Sequence, residues 1–355
     1  MIELPDNSLF AVIALVISAA GVLALSPLAR AAGLVDRPDD DLKDHGSDVP
    51  IVGGLAVFIA LHVGLMLAGS FELWLLAVTG FLLLIGLFDD VRGLPPVVRL
   101  GAAAVAGVML AYAVGADSDL VAAAIVVVLL IVAVNAVNLL DGADAVAGSA
   151  ALVTSIGLVF LMLMRDGDAV PSLLLAGALG GFLIVNWPPA KAFLGDGGAY
   201  VVASALTFLV LESAGAPSTT GSTWLLNLLI GVSLFGVFIV DLAVTLLRRI
   251  ISRQALFGGD RSHVYDQLAD RGWSPVRVAV AVASTQLGIV ALVLAFDLFF
   301  EPGLAAALSI GVVHLAVTIL CALGFAYLPK RKVSVSELFK DPDSKFQDDS
   351  ASTSS

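Results

Sequence analysis

The sequence predicts an all-α, polytopic integral membrane protein of about eleven transmembrane helices, and three observations carry that expectation. Hydrophobic residues make up 59% of the chain and charged residues only 14%, where soluble domains approach about a quarter charged. The mean hydropathy is +1.02. Apolar runs of near-spanning length recur from one end of the chain to the other, and lipid tolerates such runs only as helices or closed barrels.

The apolar run at 8–29 follows an acidic leader, Met1-Ile-Glu-Leu-Pro-Asp6, without the basic start and small-residue cleavage pattern of a signal peptide. It is expected to remain as a first span. Further runs fall at 51–69, 71–88, 97–115, 120–139 and 145–164, each bounded by Gly, Pro, Asp or Arg. The second half repeats the rhythm at 170–186, 198–214, 224–247, 276–297 and 303–328. These Ala-, Val- and Leu-rich runs lack the ten-residue alternation of barrel strands. Residues 1–329 therefore read as one transmembrane domain, and 330–355 as a tail. The tail opens on Lys330-Arg-Lys332, suited to anionic headgroups, and continues acidic and Ser-rich with too few apolar residues to fold.

With the first loop, carrying Arg30, Arg37 and Lys43, placed in the cytoplasm, every Lys and Arg except Arg165 falls on that side. The loops opposite, such as 115–119 and 213–221, are short and polar, so chemistry is expected on the cytoplasmic face. A net charge of −12 argues against nucleic acid as a partner of any basic surface. The single cysteine, Cys321, offers no intrachain disulfide and no Cys-based metal site.

Four polar constellations interrupt the apolar runs on that face. Asp89-Asp90 closes the third run beside Arg92, where adjacent acids either hold a cation or proton or form a solvated helix end. Asn135, Asn138, Asp141 and Asp144 recur every three positions and so share one helix face, which lipid cannot cover. Asp141-Gly142 would turn the chain, leaving Asp144 to cap the next helix. The segment from Asn186 through Lys191 to Gly195-Asp196-Gly197-Gly198 has prolines to stop one helix and glycines to open the next. It has the makings of an anion cradle, with helix-start amides facing phosphate and Asp196 bringing a divalent metal. Asp241 lies within the ninth run, ahead of Arg248-Arg249 and the loop segment Asp260-Arg261-Ser-His263-Val-Tyr265-Asp266, where arginines and a histidine suit a diphosphate. His62 and His314 lie in spanning runs away from this face and read as packing or interfacial residues.

In order, Asp36-Arg-Pro38 with Lys43, His45, Pro50 and Gly53-Gly54, then Asp89-Asp90, the Asn135–Asp144 ladder, Asn186 with Phe193-Leu-Gly-Asp196-Gly, and Asp241 with Arg248-Arg249, Arg261 and His263 resemble the polyprenyl-phosphate N-acetylhexosamine-1-phosphate transferases, glycosyltransferase family 4. The resemblance covers most of the chain. It implies ten or eleven spans around a cytoplasmic cleft, in the cell membrane. It also implies transfer of a sugar 1-phosphate, GlcNAc type favoured, from a UDP-sugar to polyprenyl phosphate with release of UMP. Mg²⁺, with Mn²⁺ as a substitute, would be bound at Asp196 with Asp90. Asp89, Asp90, Asp141, Asp144 and His263 would be catalytic, with Asp89 a candidate base. Lys43, His45, Asn135, Asn138, Asn186, Arg248 and Arg261 would bind substrate, and a homodimer is the expected assembly. Direct attack and a covalent aspartyl-phosphate route both stay open.

The sequence departs from that pattern in two places. The family's His-x-His-His run appears as His263-Val-Tyr-Asp266, and its second Asp-Gly pair as Asp144-Ala145. Two other classes compete with the transferase. An ion-coupled transporter would place its acids near mid-bilayer. A CDP-alcohol phosphotransferase would continue Asp141-Gly142 with a different spacing of small and charged residues.

Overall fold

The computed structural model describes residues 8–36, 48–217, 222–253 and 263–326. Its helices are α1 (Ser8–Ala32), α2 (Gly53–Ala68), α3 (Leu73–Arg92), α4 (Pro96–Ala113), α5 (Leu120–Leu140), α6 (Val146–Met164), α7 (Val170–Asn186), α8 (Gly195–Ala214), α9 (Ser222–Ser233), α10 (Gly236–Ile251), α11 (Val264–Asp270), α12 (Pro275–Phe299) and α13 (Pro302–Ala322). A two-residue antiparallel pair, β1 (Val35–Asp36) with β2 (Val49–Pro50), closes the base of the first loop. Helix starts follow local chemistry: Pro opens α4, α12 and α13, and Asp119 caps α5 by accepting from the Val121 and Ala122 amides.

Every expected span coincides with a helix, but not all eleven are equal. Eight helices are each long and apolar enough to cross a bilayer alone, whereas α2 and α7 are shorter. The ninth run, 224–247, is broken into two helices, α9 and α10, meeting at an 82° bend. Gly236 permits it, since its φ of 20° is awkward for other residues and a Cβ there would run into Gln286 and Ile289. A break inside an apolar bundle strands backbone groups that only protein can satisfy. Gln286 of α12 does so, accepting from the Val237 amide at 2.9 Å and donating to the Leu234 carbonyl at 2.7 Å. The Thr154 hydroxyl of α6 also donates to Leu234 O, and receives the second Gln286 proton.

Helix α8 occupies the centre and is buried almost along its whole length, with α2, α3, α5, α6 and α9 around it. Small residues make that possible. A Cβ on Gly54 would overlap the Gly198 backbone, and one on Gly86 would overlap Gly197, so three helix backbones come within direct contact. Outward-facing positions of α1 carry Leu9, Val12, Val16 and Leu23, a surface suited to lipid chains.

Candidate active site

The close approach of α3 to α8 at Gly86 and Gly197 brings the last turns of one helix against the first turn of the other. Asp90, near the end of α3, accepts hydrogen bonds from the amides of Asp196 at 2.8 Å and Gly197 at 3.1 Å. It thereby caps a helix on which it does not lie. This corrects the anion-cradle expectation: the negative group at the positive end of α8 is the protein's own carboxylate. From α5, Asn138 donates to the Asp196 carboxylate. Asp141, one residue beyond α5, completes the group. Its carboxyl is pushed well above the usual carboxylate range by burial, and further by the charges of Asp196 and Asp90.

Asp89 faces a different set of partners. Its Oδ1 accepts from the Leu94 amide at 2.6 Å, and its Oδ2 from the Tyr200 hydroxyl at 2.9 Å. Arg99 of α4 stands 3.6 Å from the same Oδ2. Neither Arg99 nor Tyr200 stood out in the sequence. Arg99 is hidden among the positively charged residues that topology alone explains, and Tyr200 lies in an apolar helix. Its spacing is the one available signal, since four residues after Asp196 is the same helix face.

A second polar group stands on α10 and α11. The His263 ring hydrogen-bonds through Nδ1 to Asp241 at 2.8 Å, and Asp241 also accepts from the Val264 amide. Such a carboxylate fixes the orientation of an imidazole, which accounts for an acid within an apolar run. Asp266 accepts from the His263 amide, and Tyr265 donates to the Leu139 carbonyl at the end of α5. The Tyr265 ring stacks on His263, and its hydroxyl lies so close over Gly142 that no Cβ fits there. Of the two residues that depart from the histidine run, Tyr265 thus docks α11 onto the Asp141-Gly142 turn and Asp266 caps the start of α11 itself. Arg248 and Arg249 are buried at the end of α10.

The remaining predicted residues divide. Asn186 accepts from the Ala145 amide and donates to the Ala192 carbonyl, both at 2.9 Å. Asp144 accepts from the Ala190 amide rather than capping α6. Together they stitch the turn after α5 to the loop after α7, which is in turn bonded to residues 50–54 through Phe193 and Leu194. Asn135 lies a turn deeper on α5 and donates to its own helix at Ile131. Lys43, His45 and Arg261 lie outside the described residues.

Asp90, Asn138, Asp141 and Asp196 therefore come from three helices to one end of the bundle. Among the described residues no three carboxylate, imidazole or thiol side chains converge as a closed metal cage. Mg²⁺ is commonly held by one or two carboxylates together with substrate phosphate oxygens. The donor set fits that mode, with hard oxygen ligands crowded enough that a cation would relieve their mutual repulsion.

Fold and site together define a multi-pass helical membrane protein with a carboxylate-rich site at one end. Residues 72–214 match glycosyl transferase family 4. The chain is 30% identical over 333 residues to the decaprenyl-phosphate N-acetylglucosaminephosphotransferase of Mycobacterium tuberculosis, covering 81% of this chain and 82% of that protein. It is 28% identical over 302 residues to a probable undecaprenyl-phosphate N-acetylglucosaminyl 1-phosphate transferase of Bacillus subtilis, covering 76% and 80%. It is 28% identical over 245 residues to an undecaprenyl-phosphate alpha-N-acetylglucosaminyl 1-phosphate transferase of Thermotoga maritima, covering 68% and 75%. The chain belongs to glycosyl transferase family 4.

Proposed function

We propose that the protein transfers N-acetylglucosamine 1-phosphate from its UDP carrier to a polyprenyl phosphate, forming a polyprenyl-diphosphate sugar and releasing UMP. The observation that carries this reading is the meeting of Asp90, Asn138, Asp141 and Asp196 at one end of an apolar bundle, in a chain whose relatives carry that activity in their names. An oxygen of the lipid phosphate attacks the sugar-bearing phosphorus, a new P–O–P linkage forms, and the bridging oxygen departs with UMP. Bound Mg²⁺, or Mn²⁺ in its place, would neutralise diphosphate charge at Asp196, with Asp90 and Asp141 at its sides.

The chain's own residues set the geometry. Asp90 fixes the start of α8 and hence the placement of Asp196. Asn138 orients the Asp196 carboxylate, and Asp241 orients His263 for contact with a phosphate. The positive-inside bias supports a cytoplasmic site, since Arg92, Arg99, Lys191 and Arg271 all belong to its end of the bundle. That side also holds the soluble nucleotide donor.

Purified protein incubated with polyprenyl phosphate and a panel of UDP- and CDP-sugars tests the proposal. UMP and a polyprenyl-diphosphate N-acetylglucosamine, identified by mass spectrometry, are expected. No lipid-linked sugar from any UDP donor would remove it.

A further inference from the structure

We propose that Tyr200 is a positioning residue, whose hydroxyl holds the Asp89 carboxylate in place beside the Asp196 cluster; this rests on the transferase reading above. Asp89 is buried in an apolar bundle, and its two oxygens are served differently. Oδ1 is held locally by the Leu94 amide, five residues along the same chain segment. Oδ2 depends on partners from other helices: the Tyr200 hydroxyl at 2.9 Å and Arg99 at 3.6 Å. The Arg99 side chain is 35% exposed, so it is solvated and its longer contact orients weakly. Tyr200 is 3% exposed, and a hydrogen bond at a dry site is strong and directional.

The same helix carries Asp196 and, one turn on, Tyr200. Any shift of α8 therefore moves the Asp196 carboxylate and the donor that orients Asp89 together. The Tyr200 hydroxyl donates to Asp89, so its effect on the reaction passes through that carboxylate. Losing the hydroxyl removes the short donor to Oδ2, and the Asp89 carboxylate, which already lies against Asp196, is held less firmly in one orientation.

Two variants separate this role from ring packing. Tyr200→Phe keeps the ring and deletes only the hydroxyl, whereas Tyr200→Leu removes both. Tyr200→Phe should lower kcat about ten- to hundredfold, with KM for UDP-N-acetylglucosamine and for polyprenyl phosphate nearly unchanged and the protein still fully folded at the assay temperature despite a modestly lower midpoint. Tyr200→Leu should show the same loss of kcat together with a still lower midpoint. A Tyr200→Phe protein with wild-type kcat overturns the inference. So does one whose kcat falls only in step with its midpoint, because the hydroxyl would then serve the fold alone. Absence of transfer by the wild-type protein would remove the assigned function itself, and the role of Tyr200 with it.

Discussion

Carboxylates that share a buried site repel one another, so their placement favours a ligand at the expense of the empty protein. Asp141 shows this most directly. Burial and the charges of Asp196 and Asp90 hold its folded-state pKa above the unfolded value. The folded chain then binds that proton more tightly than the unfolded chain, so stability falls as pH rises from the unfolded value through the raised one. Asp141→Asn should therefore raise the thermal midpoint of the ligand-free protein at neutral pH, a gain that fades below about pH 4 where the unfolded carboxyl also becomes protonated. The same variant should lose turnover about a hundredfold or more. A midpoint equal to wild type at neutral pH would contradict the linkage. Asp196→Asn is expected to reduce cation-dependent UMP release at least about a hundredfold while the protein stays folded, because an amide is a poor ligand for a hard divalent ion. Near-normal release would exclude Asp196 from that role. The identity of these acids was legible from their spacing, and their division of labour was not. Asp90 meets its donor amides 106 and 107 residues away, and Asp144 and Asn186 are spent on loop amides from the opposite segment. Such pairings depend on which helices touch, and local pattern is blind to them.

At the scale of elements, apolar length and punctuation placed every long helix, because lipid leaves the backbone no alternative to internal hydrogen bonding. The bend between α9 and α10 escaped that logic, since apolar composition runs unbroken across it and only Gly236 marks the place. What makes the bend affordable lies on other helices, in Gln286 and Thr154. Gln286→Leu is nearly isosteric but leaves the Val237 amide without its acceptor and the Leu234 carbonyl with one donor fewer. Thermal unfolding in detergent should show a loss of roughly 1–3 kcal/mol, with turnover below the midpoint reduced less than by Asp196→Asn. An unchanged midpoint would mean that the bend needs no such support. Short α11 was equally hidden, as seven residues give too little periodicity to detect. Its position became clear only from Tyr265 reaching Leu139.

Among the described residues, Lys and Arg side chains gather at the site end of the bundle, as sequence counting anticipated, with Arg165 as an exception. The structure pairs Arg165 with Asp297 at 2.7 Å, and the same guanidinium donates to the Ser213 carbonyl. A cation neutralised in this way ties α6, α8 and α12 together at the end opposite the site, and it carries little of the topological signal that free cations exert. The bundle therefore predicts strict sidedness. Lys191 is exposed in the loop that leads to Asp196, and Ser118 is exposed in the turn before α5. With Cys321 replaced by Ser to remove the native thiol, Lys191→Cys should react with a membrane-impermeant maleimide in inverted vesicles only. Ser118→Cys should react in right-side-out vesicles only. The reverse pattern would leave the bundle intact but place the site outside, away from any soluble nucleotide donor. Labelling of both positions from one side would break the topology itself, because α5, α6 and α7 are three helices and must carry the chain from one face of the membrane to the other.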